Sequence, residues 1–535
     1  MIRRLILLMA SAGALAGCSR PTRVELGGRD QVLHIGNGAE PKDIDPQTLQ
    51  TSNEYTISTA LFEGLVTIAN DGQTILPGVA QRWEMASDGL TYTFHLRSDA
   101  CWSDGSPVTA QDFLYSFRRA FSPMLAGENA LYGFAIAGSR DYADGKNPSP
   151  ESLGVRADGP RTFVVRLDYP APYLLYILSG APFVPVPRAV VERFRGGDRQ
   201  GTAWTRPGNL VGNGAFELTA WHPGLDLIVA KNPRYWDRRR VRLDEIHFYP
   251  LDNVDAEERA YRAGELHATH SLPVSKIAGY RQEAAGPLHV TPQLNTVYLL
   301  FNTAGHPFDD RRVRRAFALA IDRERLIPRI LQERGAPAHS LTRPGTDHYF
   351  PPRFADFDPV RARFLLAEAG YPRGTGFPSV EFRVPNDFSP DLGQALQEAW
   401  RHELGIAVKF APGEKKVLFD DLGSGNFQLA AMPFFYAINA PEMILLVPLS
   451  DSPFNFARWS EPAFDRAYRQ ATHAATQDAR RAAFDAMEGL LYAEAPYVPL
   501  YFVNQCFAVS PMVRGWRDNP LGQIDWRELS LEPEK

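Results

Sequence analysis

The sequence predicts an α/β protein built from more than one lobe. Three observations carry that expectation. The chain has 535 residues, more than one ordinary core uses, and suits two or three domains. A hydrophobic fraction of 44% with 22% charged residues is enough for well-filled interiors. Strand-period and helix-period patterns alternate through both halves instead of separating into an all-β and an all-α part.

The N-terminus comes first. Arg3 and Arg4 precede an apolar run, Leu5 to Ala16, that is too short to cross a bilayer as a stable helix. It ends in Leu15-Ala16-Gly17-Cys18. Small residues before a cysteine suit a lipoprotein signal peptidase, and the Cys18 thiol is the nucleophile that takes up diacylglycerol. The expectation is a signal peptide over residues 1–17 and a mature body outside the cytoplasm, lipid-anchored at Cys18. An ordinary signal peptide with a chance cysteine is the alternative. Ser19 follows where many inner-membrane lipoproteins carry Asp, a pattern that resembles outer-membrane sorting; both membranes stay open.

Next come the strands and helices. Leu90, Tyr92, Phe94 and Leu96 alternate with polar residues, which predicts a half-buried strand. Phe163, Val165 and Leu167 predict another. Leu225 to Ala230 and Val297 to Phe301 are more continuously apolar, as buried strands are. Thr109 with Asp112 predicts a capped helix with Phe113 and Phe117 on one face. Asp358-Pro359 starts a helix that Gly370 ends. Val313, Phe317 and Ile321 recur at helical spacing, and Ser460 and Thr476 open two late helices. Asp104-Gly105 and Asn213-Gly214 read as turns, and Lys231-Asn-Pro as a strand end.

Composition and motifs narrow the function. A net charge of -5 is small for this length and argues against nucleic acid. Beyond Cys18 there are only Cys101 and Cys506, which excludes a Cys-rich metal site and a disulfide-held scaffold; two free thiols are the preferred state. His267 and His270 lack a clear third ligand, so a solvated or strand-end role is preferred over metal. Neither a nucleophile elbow nor a phosphate-binding loop occurs. The acid pairs Asp309-Asp310 and Asp420-Asp421 read as helix caps. No cofactor and no enzyme chemistry are expected.

Nine stretches in order resemble the bacterial extracellular solute-binding proteins of family 5, nearest to its oligopeptide-binding branch. They are Asp43-Ile-Asp-Pro46, Leu61-Phe-Glu-Gly-Leu65, Leu76-Pro-Gly-Val-Ala80 with Trp83, and Tyr92-Thr-Phe-His-Leu-Arg97. Then follow Trp102-Ser-Asp-Gly-Ser-Pro-Val-Thr-Ala110 with Asp112-Phe113, Gly212-Asn-Gly-Ala-Phe216 and Lys231-Asn-Pro-Arg-Tyr-Trp236. Phe308-Asp-Asp-Arg-Arg-Val313 and Leu366-Ala-Glu-Ala-Gly370 complete the series. Each has a scaffold reading; they run in order from residue 43 to 370, and with the helical tail behind them the resemblance covers essentially the whole mature chain.

The resemblance implies a two-lobed periplasmic-binding-protein fold (type II, cluster C) with an extra inserted domain and a hinge. Lobe one would comprise residues 18–62, 187–285 and 505–535, the inserted domain 63–186, and lobe two 286–504. A peptide or peptide-like ligand would lie between the lobes, held by strand-like main-chain bonds and buried by closure. Ser52, Asn53, Tyr132, Tyr298 and Phe502 match cleft positions of relatives, as does the loop Phe434, Phe435, Tyr436, Ala437, Ile438 and Asn439. Ala437 stands where relatives place the aspartate that pairs with the peptide's α-ammonium, and Ala431 and Leu422 stand where they carry arginines. An unpaired buried ammonium costs several kcal/mol. The ligand is therefore expected to lack a free amino terminus there, unless Glu442 reaches in. Expected partners are the permease and ATPase subunits of an ABC importer, with the binding protein itself a monomer. Two other readings stay open: a carrier of nickel chelate, haem or saccharide, and a sensor lipoprotein without its own transporter.

Overall fold

The computed structural model describes residues 21–125, 128–194, 203–284, 286–353, 357–436, 438–474 and 476–532. The expected signal peptide, the expected lipidation site Cys18 and Ala437 lie outside the described residues. Three sheets of four or more strands organise what is described.

The first sheet has the order Val32–Gly36, Glu245–Tyr249, Asp226–Lys231, Phe216–His222, with one parallel and two antiparallel pairings. The apolar run read at Leu225 to Ala230 thus begins one residue later, after the turn. Leu33, Val229, Ile246 and Phe248 are buried in it. Trp526, close to the C-terminus, meets Phe248 edge-on at 5.5 Å between ring centroids, so the tail returns to this body.

The second sheet, Ala80–Met85, Thr91–Leu96, Thr162–Arg166 and Val155–Ala157, is antiparallel throughout. Tyr92, Phe94 and Leu96 point inward, as their alternation requires. Helix Ala110–Ala120 covers the sheet, with Phe113 and Phe117 against Phe163 at 5.7 and 5.1 Å. Its start is held by Asp112, whose carboxylate accepts from the Thr109 N–H at 2.7 Å and hydroxyl at 2.8 Å.

The third sheet has six strands in the order Gly335–Pro337, Tyr497–Ala508, Leu288–Phe301, Leu429–Phe435, Val380–Pro385, Val408–Gly413. Helices Arg311–Leu319, Pro359–Glu368 and Pro390–Leu404 share one core with it, in which Val313, Phe317, Ile321 and Trp400 are all buried. Thr476 caps Gln477–Glu494 through a 3.2 Å bond from the Ala479 N–H. The preceding helix, Pro462–Thr472, is capped by Glu461 instead of Ser460, because Pro462 takes the first helical position.

Strands Leu288–Phe301 and Tyr497–Ala508 are the two long ones, and they pair antiparallel. At one end Val509 bridges to Ala268, which bridges to Ile35 of the first sheet. The other end lies deep in the third sheet. These two strands therefore carry the chain between the two bodies. Their register breaks between Pro292 and Thr296. Arg343 fills the break: its guanidinium donates to Gln293 O at 3.2 Å, Val503 O at 2.9 Å and the Asn504 side chain at 2.8 Å.

Three further local readings are corrected. Asp420 and Asp421 cap no helix start; they lie inside helix Lys415–Ser424, where Asp421 pairs with Arg383. Asn213-Gly214 is no hairpin turn. The Asn213 amide exchanges both of its hydrogen bonds with the Glu63 backbone at 3.0 and 2.8 Å. A Cβ on Gly214 would lie 2.4 Å from Leu61 C and 2.5 Å from Ala60 O, so close backbone approach demands the glycine. His267 is not solvated. It is wholly buried, its Nδ1 accepts from the His34 N–H at 3.0 Å, and burial pushes its pKa down to about 4. Among the described residues no group of three His, Cys, Asp or Glu could hold a metal, and no helix is long and apolar enough to cross a membrane. Cys101 and Cys506 are both free thiols.

The acidic residues of the motifs act as internal anchors. Asp45 accepts two bonds from Arg119 at 3.1 and 2.5 Å, tying the N-terminal segment to helix Ala110–Ala120. Buried Glu63 takes the Tyr235 hydroxyl at 2.5 Å, the Trp236 indole N–H at 2.7 Å and Arg527 at 3.3 Å. A buried carboxylate persists only with such donors around it.

Candidate binding cleft

A cleft with a cavity volume of about 640 Å³ opens where the two long strands cross between the bodies. That size accommodates a short peptide or a drug-sized molecule. Its floor is the strands themselves: Thr291, Gln293 and Asn295 from one, Val503 to Phe507 from the other. Residues 291, 293 and 295 alternate, so one face of that strand points into the cleft. One wall is the first sheet's edge, Ile35 to Asn37, with helix Ser52–Leu61. Ser52, Tyr55, Thr56 and Thr59 line it at spacings of three and four, the signature of one helical face. Tyr132, Tyr176 and Phe183 come from the segment around the second sheet, Phe435 and Ile438 from the third, and Trp516 to Ile524 from the C-terminal segment.

The cleft is lined by apolar and aromatic side chains interleaved with neutral polar groups, with Arg334, Arg517 and Asp518 also on its wall. The Gln293 amide donates to Gln505 at 2.8 Å, and Gln505 donates to His270 O at 3.0 Å, a chain that links the floor to the wall. Thr291 Oγ1 and Asn295 Oδ1 are buried and have no protein hydrogen-bond partner among the described residues. Such atoms are costly until something satisfies them. Glu257 sits behind the wall and accepts from the N–H groups of His270 and Ser271 at 2.8 and 3.2 Å; burial pushes its pKa up to about 7. Burial likewise lifts the Cys506 thiol to about 11, so that cleft residue stays protonated and unreactive at neutral pH.

Of the residues singled out by resemblance, Ser52, Tyr132, Phe435 and Ile438 line the cleft. The other described ones are placed elsewhere. Asn53, one helical step from Ser52, turns inward and donates to Ala39 O at 2.6 Å. Tyr298 lies on the opposite face of its strand, only 1% exposed, edge-on to Tyr497 at 5.4 Å. Phe434 and Phe435 split for the same reason, and half-buried Phe434 packs on Phe454 against the core at 5.5 Å. Tyr436 is fully buried, its hydroxyl accepting from the Arg343 N–H at 3.3 Å. Phe502 lies beneath the Arg343 guanidinium, 5.3 Å from its ring centroid. Asn439 is buried between the Asp347 N–H at 3.0 Å and Gly72 O at 3.3 Å, tying together three segments distant in sequence. Ala431 and Leu422 are core residues.

Glu442 is not available as a substitute acid. It is wholly buried, and its two oxygens accept from Arg480 at 2.8 and 2.7 Å. The sequence reading also missed Tyr55, Tyr176, Gln293, Asn295 and the segment from Trp516 to Ile524. The helical face continuing from Ser52 was a usable signal for Tyr55. Nothing local marks the rest.

Comparison with known proteins agrees with this geometry. Residues 74–456 match the family model for "Bacterial extracellular solute-binding proteins, family 5 Middle". The periplasmic oligopeptide-binding protein OppA of Escherichia coli is 33% identical, with 98% of this chain and 96% of the relative covered. A probable deoxycholate-binding periplasmic protein of the same organism, YgiS, is 31% identical, with 98% of each chain covered. The structure of Haemophilus influenzae OppA in complex with the peptide RPPGFSPFR superposes with a TM-score of 0.78 at 30% identity, covering 94% of this chain and 99% of the other. The chain is a two-lobed α/β protein and belongs to the bacterial extracellular solute-binding proteins of family 5.

Proposed function

We propose that this protein is the peptide-capturing component of an ABC importer on the outer side of the cytoplasmic membrane. One observation carries the reading: a single cleft of about 640 Å³ takes walls from both bodies at the point where two strands join them. A ligand touching both bodies favours the closed arrangement, which is how binding becomes a signal to a transporter. Neutral polar groups interleaved with aromatic rings suit an extended peptide held through its main chain. The ligand leaves chemically unchanged, delivered to permease and ATPase partners. The protein works as a monomer anchored by acyl chains on Cys18, with lobes meeting near residues 292–296 and 502–504.

The test is calorimetry with synthetic peptides of two to six residues, combined with small-angle scattering. The expected result is saturable binding with a more compact particle. Cleavage of the bound peptide, or binding without any change in shape, would overturn the reading. Anchoring is tested separately: a clickable fatty acid should label the protein and should fail to label Cys18→Ser. A second reading, an apolar carboxylate such as a bile acid, is supported by the likeness to YgiS and by the aromatic walls.

A further inference from the structure

We infer that the cleft selects a ligand that carries a carboxylate and no primary ammonium. The inference rests on the proposal that this cleft is the ligand site. Among the described residues, the charged side chains on its wall are Arg334, Arg517 and Asp518, with His270 beside them. Arg334 ends the turn Gln332–Arg334, and Arg517 belongs to the C-terminal segment. The two cations are distant in sequence, and only the fold puts both on the wall of one cleft.

Each arginine has an acid as its chain neighbour, and each acid is turned to another base. Glu333 pairs with Arg281 at 3.0 Å. Asp518 accepts from His289 Nδ1 at 2.9 and 3.1 Å. Neither Arg334 nor Arg517 has an ion-pair partner among the described residues.

The acids set further back are committed as well. Glu442 holds Arg480. Glu488 accepts from the N–H groups of Leu341 and Thr342 at 3.0 and 2.8 Å. Glu54 accepts from those of Lys42 and Gln50 at 3.1 and 2.9 Å. An ammonium closed into this cleft would meet two guanidinium groups and a single carboxylate, Asp518, already bonded to His289, whereas a ligand carboxylate would find two donors whose planar forks match it. An N-capped peptide and a sterol carboxylate share this chemistry.

The experiment uses the purified mature protein and four probes: acetyl-Ala-Phe-Ala with a free carboxylate, the same peptide with a free amino group, the acetylated peptide as its amide, and deoxycholate below its micellar concentration. Binding is read by calorimetry. The acetylated carboxylate is expected to bind at least about tenfold tighter than the free amine and about tenfold tighter than the amide. Arg334→Gln and Arg517→Gln should each weaken it by about tenfold and leave the amide unaffected. Both side chains are exposed, and unchanged melting curves of the variants report the intact fold. Equal affinity for the free amine overturns this inference and leaves the peptide reading standing. So does a loss of free-amine binding in Asp518→Asn, which would make Asp518 the ammonium anchor. Binding of deoxycholate with no peptide bound supports the charge selection and overturns the peptide reading. Failure of all four probes at millimolar concentration overturns both.

Discussion

Replacing Glu442 by Gln separates a structural acid from a ligand-binding one. Glu442 is fully buried, and the Arg480 side chain is 5% exposed. Their two bonds of 2.8 and 2.7 Å are joined by a third, from Arg480 to Asp347 at 2.6 Å. The amide puts an N–H₂ group where an oxygen faced the guanidinium, so one of the two bonds becomes a donor–donor contact. Breaking a buried pair from one side costs about 3–5 kcal/mol, because the surviving charge stays desolvated. Asp347 continues to neutralise Arg480, which puts the expected loss at the lower end, about 3 kcal/mol. Native-state hydrogen exchange of helix Gln477–Glu494 is the assay, since it reads local opening without assuming that both bodies unfold together. Opening free energies in that helix should fall by about 3 kcal/mol in Glu442→Gln, while affinity in the cleft stays within about twofold. Glu442→Leu combined with Arg480→Met should recover about half or more of the loss, since both buried charges are then gone and Asp347 is 21% exposed to water. Unchanged exchange together with lost ligand binding would make Glu442 a ligand group and refute the reasoning.

Three further outcomes follow from the geometry. Glu257, at about 7 when folded against 4.5 unfolded, makes the folded state resist ionisation, so its contribution to stability is present below pH 4.5 and is lost as pH rises to about 7. Urea unfolding of the parent and of Glu257→Gln should therefore diverge across that range in favour of the variant, by at most about 3 kcal/mol; parallel curves would contradict the raised value. Tyr55→Ala on the cleft wall should weaken ligand binding several-fold with little loss of stability, whereas Tyr298→Ala in the core should cost about 3–5 kcal/mol of stability, read by the same unfolding assay. Gly214→Ala drives a Cβ into the backbone of Ala60 to Phe62 and should destabilise by about 3 kcal/mol; a neutral melting temperature would show that this segment can shift aside.

Much of the fold was legible because local chemistry decides it. Alternation at Tyr92, Phe94 and Leu96 marks a strand with one face buried, and Thr109 with Asp112 marks a helix start, wherever the rest of the chain goes. The ordered motifs pointed to the family for a similar reason, since each is a turn, a cap or an anchor such as Glu63. The cleft was less legible. Periodicity says that Phe434 and Phe435 face opposite ways and that Ser52 and Asn53 point in different directions around their helix, but it cannot say which one meets a ligand.

That choice is made by long-range pairing. The register of Leu288–Phe301 against Leu429–Phe435 turns Asn295 and Phe435 to the cleft and Thr296 and Phe434 to the core. Glu442 looked available in sequence because its partner, Arg480, lies on a helix nearly forty residues away. Arg334 and Arg517 carry no motif at all. By itself the sequence determined most of the α/β elements, several of their caps and the family, all properties of short segments. Tertiary structure alone decided which acids are neutralised inside and which cations are left facing the cleft, because a charge acts on whatever the fold brings near it and not on its neighbours in the chain.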